Sequence, residues 1–266
     1  MTMLDKKVAV VYGGGGVIGG AIARVFAREG AHVYIAGRTR APLDRVVQNI
    51  AGHGGRAEAT LADAGDENDV RRHLDQVIDR VGRIDIFVNA VGIPHVQGPA
   101  LAELGVDEFM APVDGYLRTL FVTTRAAAPH MAAQGSGVVL TFSSPGARLT
   151  GSGFLGIGVA SAAVEAFSRI LAGELGPEGV RVVCIRPHAI PASLGASHLT
   201  EAFGGMADRA GTTADEWLAG LAAQGTLLRR LPTSEDVAEY AAFAASDRAR
   251  TMTGAIANLT AGSILD

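Results

Sequence analysis

The chain has little of several residue types, and each shortage excludes a class of protein or site. A single cysteine among 266 residues, Cys184, excludes an internal disulfide bond and a thiolate-rich metal site such as structural zinc. Basic and acidic residues number 23 and 27, and no polybasic run occurs. We therefore expect no nucleic-acid partner and no anionic membrane surface as a partner. Lysine is scarcer still, because Lys6 and Lys7 are the only two in the chain.

Long apolar runs are also absent. No stretch of about 18 uninterrupted apolar residues occurs, so we expect no membrane-spanning helix. The segment Val8–Val11 after the two lysines faintly resembles a leader, but four consecutive glycines follow it closely, and we interpret it as folded protein. Together with the single cysteine, this favours a cytoplasmic protein.

What the chain does have is glycine and an alternating apolar pattern. Glycine occurs 35 times, roughly twice its average usage, which predicts many tight turns. Short β-rich runs alternate with longer stretches of helical period, which is typical of an α/β fold with a parallel sheet covered by helices on both faces. We predict one Rossmann-type, doubly wound domain spanning 1–266. Its seven predicted strands are Lys7–Tyr12, His32–Ala36, Arg56–Leu61, Ile84–Val88, Gly137–Phe142, Val180–Arg186 and Ala255–Leu259.

The predicted helices lie between these strands. One further segment has no regular helical or strand pattern. The helices are Ile18–Glu29, Ala41–Ala51, Glu67–Val81, Val113–Ala133, Val159–Leu175 and Ser234–Ala245. The segment at about 191–232 is too long for a simple connection. We expect it to contain one or two short helices and to act as a lid over the ligand.

A glycine-rich turn joins the first predicted strand to the first helix. Gly13, Gly16 and Gly19 have the spacing G-x-x-G-x-x-G, and Ile18 stands where the helix starts. Residues without a Cβ let the backbone approach a pyrophosphate, whose charge then lies at the helix N-terminus. The pattern also occurs in purely structural turns, but its position at the first strand-to-helix junction favours a nucleotide site.

Two residues at neighbouring strand ends bear on the choice of nucleotide. The second strand is followed by Arg38 and not by an acid; a guanidinium suits a ribose 2′-phosphate, so NADP is favoured over NAD. A solvated arginine at a strand exit is the alternative. Asp63 follows the third strand, where it either accepts a hydrogen bond from an adenine amine or helps to cap the next helix.

The sequence resembles the short-chain dehydrogenase/reductase family over nearly its whole length. The turn from Gly13 to Gly19 is similar to T-G-x-x-x-G-x-G, with Tyr12 in place of Thr and Val17 in place of the second Gly. Asn89 to Gly92 reads N-A-V-G where N-N-A-G is usual, and the resemblance assigns Asn89 and Gly92 to the nucleotide site. Ser144 ends the fifth strand, as it does in the family. The resemblance implies a nicotinamide nucleotide and a small-molecule substrate.

The family's catalytic pair is missing from the sequence. In the family a tyrosine exchanges the carbinol proton, and a lysine four residues later lowers the pKa of that tyrosine. The alignment places Ile157 and Ser161 at these two positions. No Tyr-x-x-x-Lys exists in any alignment, because the four tyrosines are Tyr12, Tyr34, Tyr116 and Tyr240 and both lysines precede them.

Three residues are candidates for the proton path that remains. Ser144 is the one member of the family's active-site set that is present. Tyr116 stands where the family has a helical asparagine, and we predict that its hydroxyl points toward Ser144; a packing role is equally open. His188 replaces a glycine that lies beside the nicotinamide in the family, and histidine exchanges protons near neutral pH. A structural histidine that only forms hydrogen bonds is the alternative. His95 is a weaker candidate on a loop near the same cleft.

Three functions are compatible with these residues. The first is an NADP(H)-dependent oxidoreductase with a non-standard active site acting on a small organic substrate, for which an activated alkene or an iminium would be suitable. The second is a non-redox lyase, cyclase or isomerase, and the third is a catalytically silent nucleotide-binding subunit. The resemblance also implies a homo-oligomer, a dimer or tetramer, built on the helices that follow Val113 and Val159. Burial of their alanines against the chain's own sheet remains an alternative.

Overall fold

The structure, a computed structural model, describes residues 2–195 and 199–266. In these residues a seven-stranded, fully parallel sheet has the order β3-β2-β1-β4-β5-β6-β7. The strands are β1 (Val8–Tyr12), β2 (His32–Gly37), β3 (Arg56–Leu61), β4 (Ile86–Asn89), β5 (Gly137–Phe142), β6 (Val180–Pro187) and β7 (Ala255–Leu259). The α-helices are α1 (Val17–Arg28), α2 (Arg40–Gly52), α3 (Glu67–Val81), α4 (Val106–Ala133), α5 (Leu155–Leu175), α6 (Leu199–Ala210), α7 (Ala214–Gly225) and α8 (Ser234–Ala245).

Two apolar clusters cover the two faces of the sheet. Helices α1, α2 and α8 pack on one face, and α3, α4 and α5 pack on the other. The central strands read as nearly continuous buried runs, since a parallel sheet is covered on both sides. The predicted doubly wound α/β fold is confirmed.

The register of the sheet gathers the strand ends that matter for a ligand. Tyr12, the last residue of β1, pairs with Ala36 on one side and with Asn89 on the other. The chain runs outward from β1 to β3 and then returns to the other side of β1 with β4. In doubly wound sheets, ligands bind at this reversal, outside the carboxyl ends of the strands.

Helix α4 is longer than the sequence predicts, because it begins at Val106 and not at Val113. The predicted start directly follows Pro112, and this proline is buried within the helix. The first turn is secured upstream, where the Glu108 carboxylate accepts a hydrogen bond from the Gly105 amide at 2.8 Å. Such a cap satisfies an amide at the helix start and favours helix formation before the proline is reached.

Among the described residues, one segment passes a test for a membrane span that uses length and composition only. It is Leu155–Glu178, and 44% of its most apolar window is buried inside the fold. A count of uninterrupted apolar residues does not detect this segment, because Glu165 and Arg169 lie within it. In this fold Ala160, Val164 and Ser168 are buried where α5 packs beside α4 and β6, which accounts for its apolar composition.

In its described residues, the irregular segment at about 191–232 contains two α-helices, α6 and α7, in agreement with the one or two short helices predicted. Residues 196–198 of this segment lie outside the described residues. Helix α7 starts with a capping box in which Thr213 and Glu216 bond to each other's backbone amides. That the segment acts as a lid stays a prediction.

Candidate active site

A large cleft lies along the carboxyl ends of the strands. It has a volume of about 660 Å³ and runs from the glycine turn after β1 to the helices α6 and α7. Its walls include residues from the ends of β1, β2, β5 and β6 and from the loop after β4. The topology therefore places the predicted nucleotide site and the predicted catalytic residues in one cavity.

Two of the predicted turn glycines are required by the packing of the chain itself. Gly13 has φ +77°, and a Cβ there would lie 2.3 Å from the Ala90 carbonyl oxygen. A Cβ on Gly19 would lie 2.3 Å from the carbonyl oxygen of Gly13. Neither position tolerates a side chain, so these glycines shape the turn.

The remaining turn residues form the cleft wall. Gly15, Gly16, Val17 and Ile18 line the cavity, and Gly16 is the N-cap of α1. The first amides of an α-helix have no partner within the helix and carry partial positive charge. The start of α1 is therefore suited to a phosphate group of a nucleotide.

At the end of β2, only one of two neighbouring arginines is held by a partner. Arg40 forms an ion pair with Asp44, one turn later in α2. Arg38 is exposed and lines the cleft, and it makes no ion pair within residues 2–195 and 199–266. Arg38 is thus available to an anionic ligand at this end of the cavity.

The other predicted nucleotide residues have different surroundings. Asp63 lines the cleft, and its Oδ1 accepts a hydrogen bond from the Gly65 amide at 2.9 Å. Gly92 also lines the cleft. Asn89 is buried behind it, where its amide donates to Thr123 Oγ1 at 2.9 Å. Asn89 therefore orders the loop after β4 and does not form part of the cavity wall.

Tyr12, the residue directly before the glycine turn, has a buried side chain. Its hydroxyl lies 2.9 Å from Nδ1 of the buried His73. Burial raises the pKa of Tyr12 and lowers the pKa of His73 to about 4, so both groups are neutral at pH 7. Sequence reasoning missed this pair because its partners are 61 positions apart.

At the other end of the cleft, two serines face each other. Ser144, just after β5, and Ser161 on α5 have their hydroxyl oxygens 2.7 Å apart. The Ser144 hydroxyl also accepts a hydrogen bond from the Gly146 amide at 3.2 Å. Ile157 lies one turn before Ser161 on the same helix, and it too lines the cavity. Ser144 is thus a neutral hydroxyl held in place from two sides.

Tyr116 lies in the same cavity, in contact with the loop after β4. Burial raises the pKa of its phenol, and a hydrogen bond from the Ile93 backbone amide opposes that change. His95 is held by the same residue, because its Nδ1 donates to the Ile93 carbonyl at 2.8 Å. The rings of His95 and Tyr116 lie 6.4 Å apart. The hydrogen bond described for Tyr116 comes from Ile93, and the side-chain bond described for Ser144 is to Ser161. Neither of these bonds joins the phenol to Ser144, toward which the sequence predicts that it points.

His188 follows directly after β6 and lines the cavity. Its Nδ1 accepts a hydrogen bond from the Ala189 amide at 2.6 Å, so the neutral ring carries its proton on Nε2. Burial lowers the pKa of His188 to about 4. At neutral pH the ring is a hydrogen-bond donor and not a cation.

A buried ion cluster lies beneath these candidates, and sequence reasoning missed it. The Glu165 carboxylate accepts bonds from Arg186 Nε at 2.7 Å and Nη2 at 3.0 Å, and from the Ser143 hydroxyl at 3.0 Å. Arg186 also bonds to Asp266 at 2.7 Å. The sequence signal for this cluster is a charged residue inside each of two apolar runs, Glu165 in α5 and Arg186 in β6.

Each member of this cluster is close in sequence to a cleft residue. Ser143 precedes Ser144, Arg186 lies two residues before His188, and Glu165 lies one turn after Ser161. The cluster therefore ties together the three elements that carry the polar groups of the cavity. Within the described ranges no group of three His, Cys, Asp or Glu side chains could hold a metal ion.

Comparison with known proteins agrees with this architecture. The family model described as enoyl-(acyl carrier protein) reductase matches residues 15–263. An uncharacterised oxidoreductase of Mycobacterium tuberculosis is 36% identical over 96% of this chain and 90% of its own. The (+)-borneol dehydrogenase 2 of Salvia officinalis is 32% identical over 93% of this chain and 86% of its own.

A solved structure leads to the same assignment. The crystal structure of a short-chain dehydrogenase/reductase from Burkholderia xenovorans superposes with a TM-score of 0.82, at 28% identity and with complete coverage of both chains. Members of this family are oxidoreductases that use nicotinamide nucleotides on small organic molecules. The chain belongs to the short-chain dehydrogenase/reductase family.

Proposed function

We propose that the protein is an NADP(H)-dependent oxidoreductase whose proton path runs through Ser144, Tyr116 and His188 and not through a tyrosine–lysine pair. One observation carries the proposal: the N-terminus of α1, the unpaired Arg38 and these three polar residues all line one continuous cavity. A bound nicotinamide nucleotide would supply or accept the hydride. The chain's own residues would bind and orient the substrate and handle the proton.

The residues at the nucleotide end fit a dinucleotide with a 2′-phosphate. The amides at the start of α1 suit a pyrophosphate, and the Arg38 guanidinium suits the additional phosphate of NADP because it forms planar, charge-assisted hydrogen bonds. No acid stands at the end of β2 to accept the hydrogen bonds of a ribose diol. These features favour NADP over NAD.

Each of the three polar residues would have a separate role at the substrate oxygen. The Tyr116 phenol keeps its proton at neutral pH and would donate a hydrogen bond to the substrate oxygen as charge develops, whereas burial raises its pKa and makes complete proton transfer less favourable. The neutral His188 ring would donate a hydrogen bond from Nε2 and polarise the substrate. Ser144, bonded to Ser161, would fix the orientation of the substrate oxygen.

The sequence resemblance aligns Ile157 and Ser161 with the family's tyrosine and lysine, and this alignment narrows the chemistry that we propose. A positioned general acid contributes about 10²–10⁴-fold to rate, and Ile157 has no proton to donate. An activated alkene or an iminium accepts a hydride with less dependence on that acid than a simple ketone does. The description of the matched family model, which names enoyl reduction, supports an activated alkene.

The experiment follows the fall in NADPH absorbance with a panel of conjugated enones and cyclic ketones. We expect consumption of NADPH that depends on the enone, and a loss of about tenfold or more in kcat/KM for Ser144→Ala and Tyr116→Phe. Tyr240→Phe is the matched control, since Tyr240 lies outside the cleft with its hydroxyl on the Met252 sulfur, and it should behave as wild type.

Two results would contradict the proposal. One is the absence of NADPH consumption with every member of the panel. The other is substrate turnover that persists after complete removal of nucleotide, which would favour the second candidate, a non-redox lyase, cyclase or isomerase. The neutral hydrogen-bonding groups of the cleft, with no Tyr-x-x-x-Lys beside them, are the observation that keeps this second candidate open.

We further propose that two copies of the chain associate through helices α4 and α5. These neighbouring helices expose large apolar side chains, namely Val106, Met110 and Phe121 on α4 and Leu155, Val159 and Ile170 on α5. On each helix the spacing places them on one side. An apolar face of this kind is typical of a subunit interface.

A further inference from the structure

The cleft divides into two ends that differ in charge. Among its described lining residues, Arg38 and Asp63 are the only Asp, Glu, Lys or Arg side chains, and both lie at the nucleotide end. The opposite end is formed by the start of α5, the segment after β6 and the helices α6 and α7. Its described residues include no carboxylate, ammonium or guanidinium group.

The walls of this uncharged end are large and apolar. They include Leu149, Phe154, Leu199, Phe203, Trp217 and Leu221. Phe203 and Trp217 hold each other, with ring centroids 5.8 Å apart, and Phe203 packs in a buried cluster with Leu218 and Leu231. Because of these contacts, the side chains of the apolar wall pack together and form one continuous surface.

The polar groups facing this end are neutral, and they include the side chains of Gln97, Tyr116 and Ser193. Ser144 and Ser161 are bonded to each other, and His188 is neutral at pH 7 with its proton on Nε2. The His95 imidazole is also uncharged at that pH, because burial lowers its pKa. A ligand would therefore meet hydroxyl and N–H groups here, but no opposite charge among the described residues.

We propose that this end of the cleft selects an uncharged, mainly hydrocarbon substrate with one carbonyl or hydroxyl oxygen, which Ser144 and His188 bind. An ionised carboxylate or phosphate placed here would lose its hydration without gaining a counter-ion, whereas a hydrocarbon ring gains from the apolar wall. The substrate oxygen is matched by the neutral hydrogen-bonding groups of Ser144 and His188. The inference rests on the proposed function, because it takes this end as the substrate site.

Trp217 provides a direct probe of this binding, since it is the only tryptophan in the chain and lies in the wall. The protein, saturated with NADP, is titrated with 4-tert-butylcyclohexanone and separately with 4-oxocyclohexanecarboxylate, which is similar in size but anionic. Trp217 emission and calorimetry are recorded for both. We expect the neutral ketone to change the emission saturably and to bind at least about tenfold more tightly than the carboxylate.

Two variants control the measurement. Trp217→Phe should abolish the emission change, which assigns the signal to Trp217, and calorimetry on the same variant measures how much the indole contributes to binding. Leu149→Arg places a cation at the rim of the apolar end, where the native side chain is 40% exposed and arginine can stay hydrated. That variant should narrow or reverse the preference for the neutral probe.

Equal or tighter binding of the carboxylate by the wild-type protein would overturn the inference, as would no binding of either probe by emission and calorimetry. These results are separable from the proposed function, because binding does not require hydride transfer. A protein that prefers the neutral ketone but oxidises no NADPH contradicts the proposed function and leaves this inference standing. A protein that oxidises NADPH but binds the carboxylate more tightly than the neutral ketone supports the proposed function and contradicts this inference.

Discussion

At the scale of single residues, the buried charges explain how a cleft with mostly neutral walls is held in shape. Glu165 and Arg186 are both almost fully buried, and the carboxylate bonds twice to the guanidinium and once to Ser143. Removing two charges from water is costly, and only close pairing with several hydrogen bonds offsets that cost. The benefit of the cluster is therefore geometric, because it fixes the segments that carry Ser144, Ser161 and His188.

Glu165→Gln tests this assignment. The variant leaves the Arg186 guanidinium buried with only Asp266 as a charged partner, and we expect the free energy of unfolding to fall by about 3 kcal/mol. Urea denaturation measures the change. The matched control is Glu67→Gln, which breaks the exposed ion pair with Arg125 and should cost less than about 1 kcal/mol. Similar losses in the two variants would contradict the role given to Glu165.

Residue identities were only partly predictable from the sequence. Gly13 was identified because a positive φ and a close backbone approach leave a glycine pattern in the sequence. The partners of Ser144 and Tyr116 were not, since they depend on how α5 and the loop after β4 approach the strand ends. Glu165 and Arg186 were visible as charges in apolar runs, but nothing in the sequence pairs them.

At the scale of elements, the periodic segments were predicted well and the starts of α4 and α5 were not. The strands β3, β5 and β7 and the helices α3 and α8 have the predicted bounds, because their apolar periods end at clear turn or capping residues. Helix α4 shows the opposite case, in which Pro112 lies inside the helix. A proline marks a probable boundary, and burial of the helix can override it.

The apolar side of α4 leads to a prediction about association. Phe121→Glu replaces an apolar side chain in the exposed row of α4 with a charge, and we expect a stable dimer or tetramer to become a monomer, because burying a carboxylate at an apolar interface is unfavourable even beside Arg125. Size-exclusion chromatography with light scattering measures the change. Leu101→Glu is the control, since Leu101 is exposed but lies outside α4 and α5. A wild-type protein that is already monomeric would contradict the proposed interface.

At the scale of the whole molecule, the order of the strands places two different environments in one cavity. The reversal beside β1 brings the start of α1 and Arg38 to one end, and the ends of β5 and β6 bring Ser144 and His188 to the other. This arrangement could be predicted from the fold class alone. The neutrality of the second end could not, because it depends on which side chains of α6 and α7 reach the cavity.

The central claim is that the cavity binds NADP through Arg38 although the family's tyrosine and lysine are missing. Calorimetric titration of the protein with NADP and with NAD tests it most directly, using Arg38→Ala and, as a matched control, Arg40→Ala, whose guanidinium is already paired with Asp44. We predict that NADP binds about tenfold or more tightly than NAD, since a charge-assisted bond to phosphate contributes about 1.5–3 kcal/mol. Arg38→Ala should abolish that preference and Arg40→Ala should keep it. No binding of either nucleotide, or a preference that survives Arg38→Ala, would contradict the account.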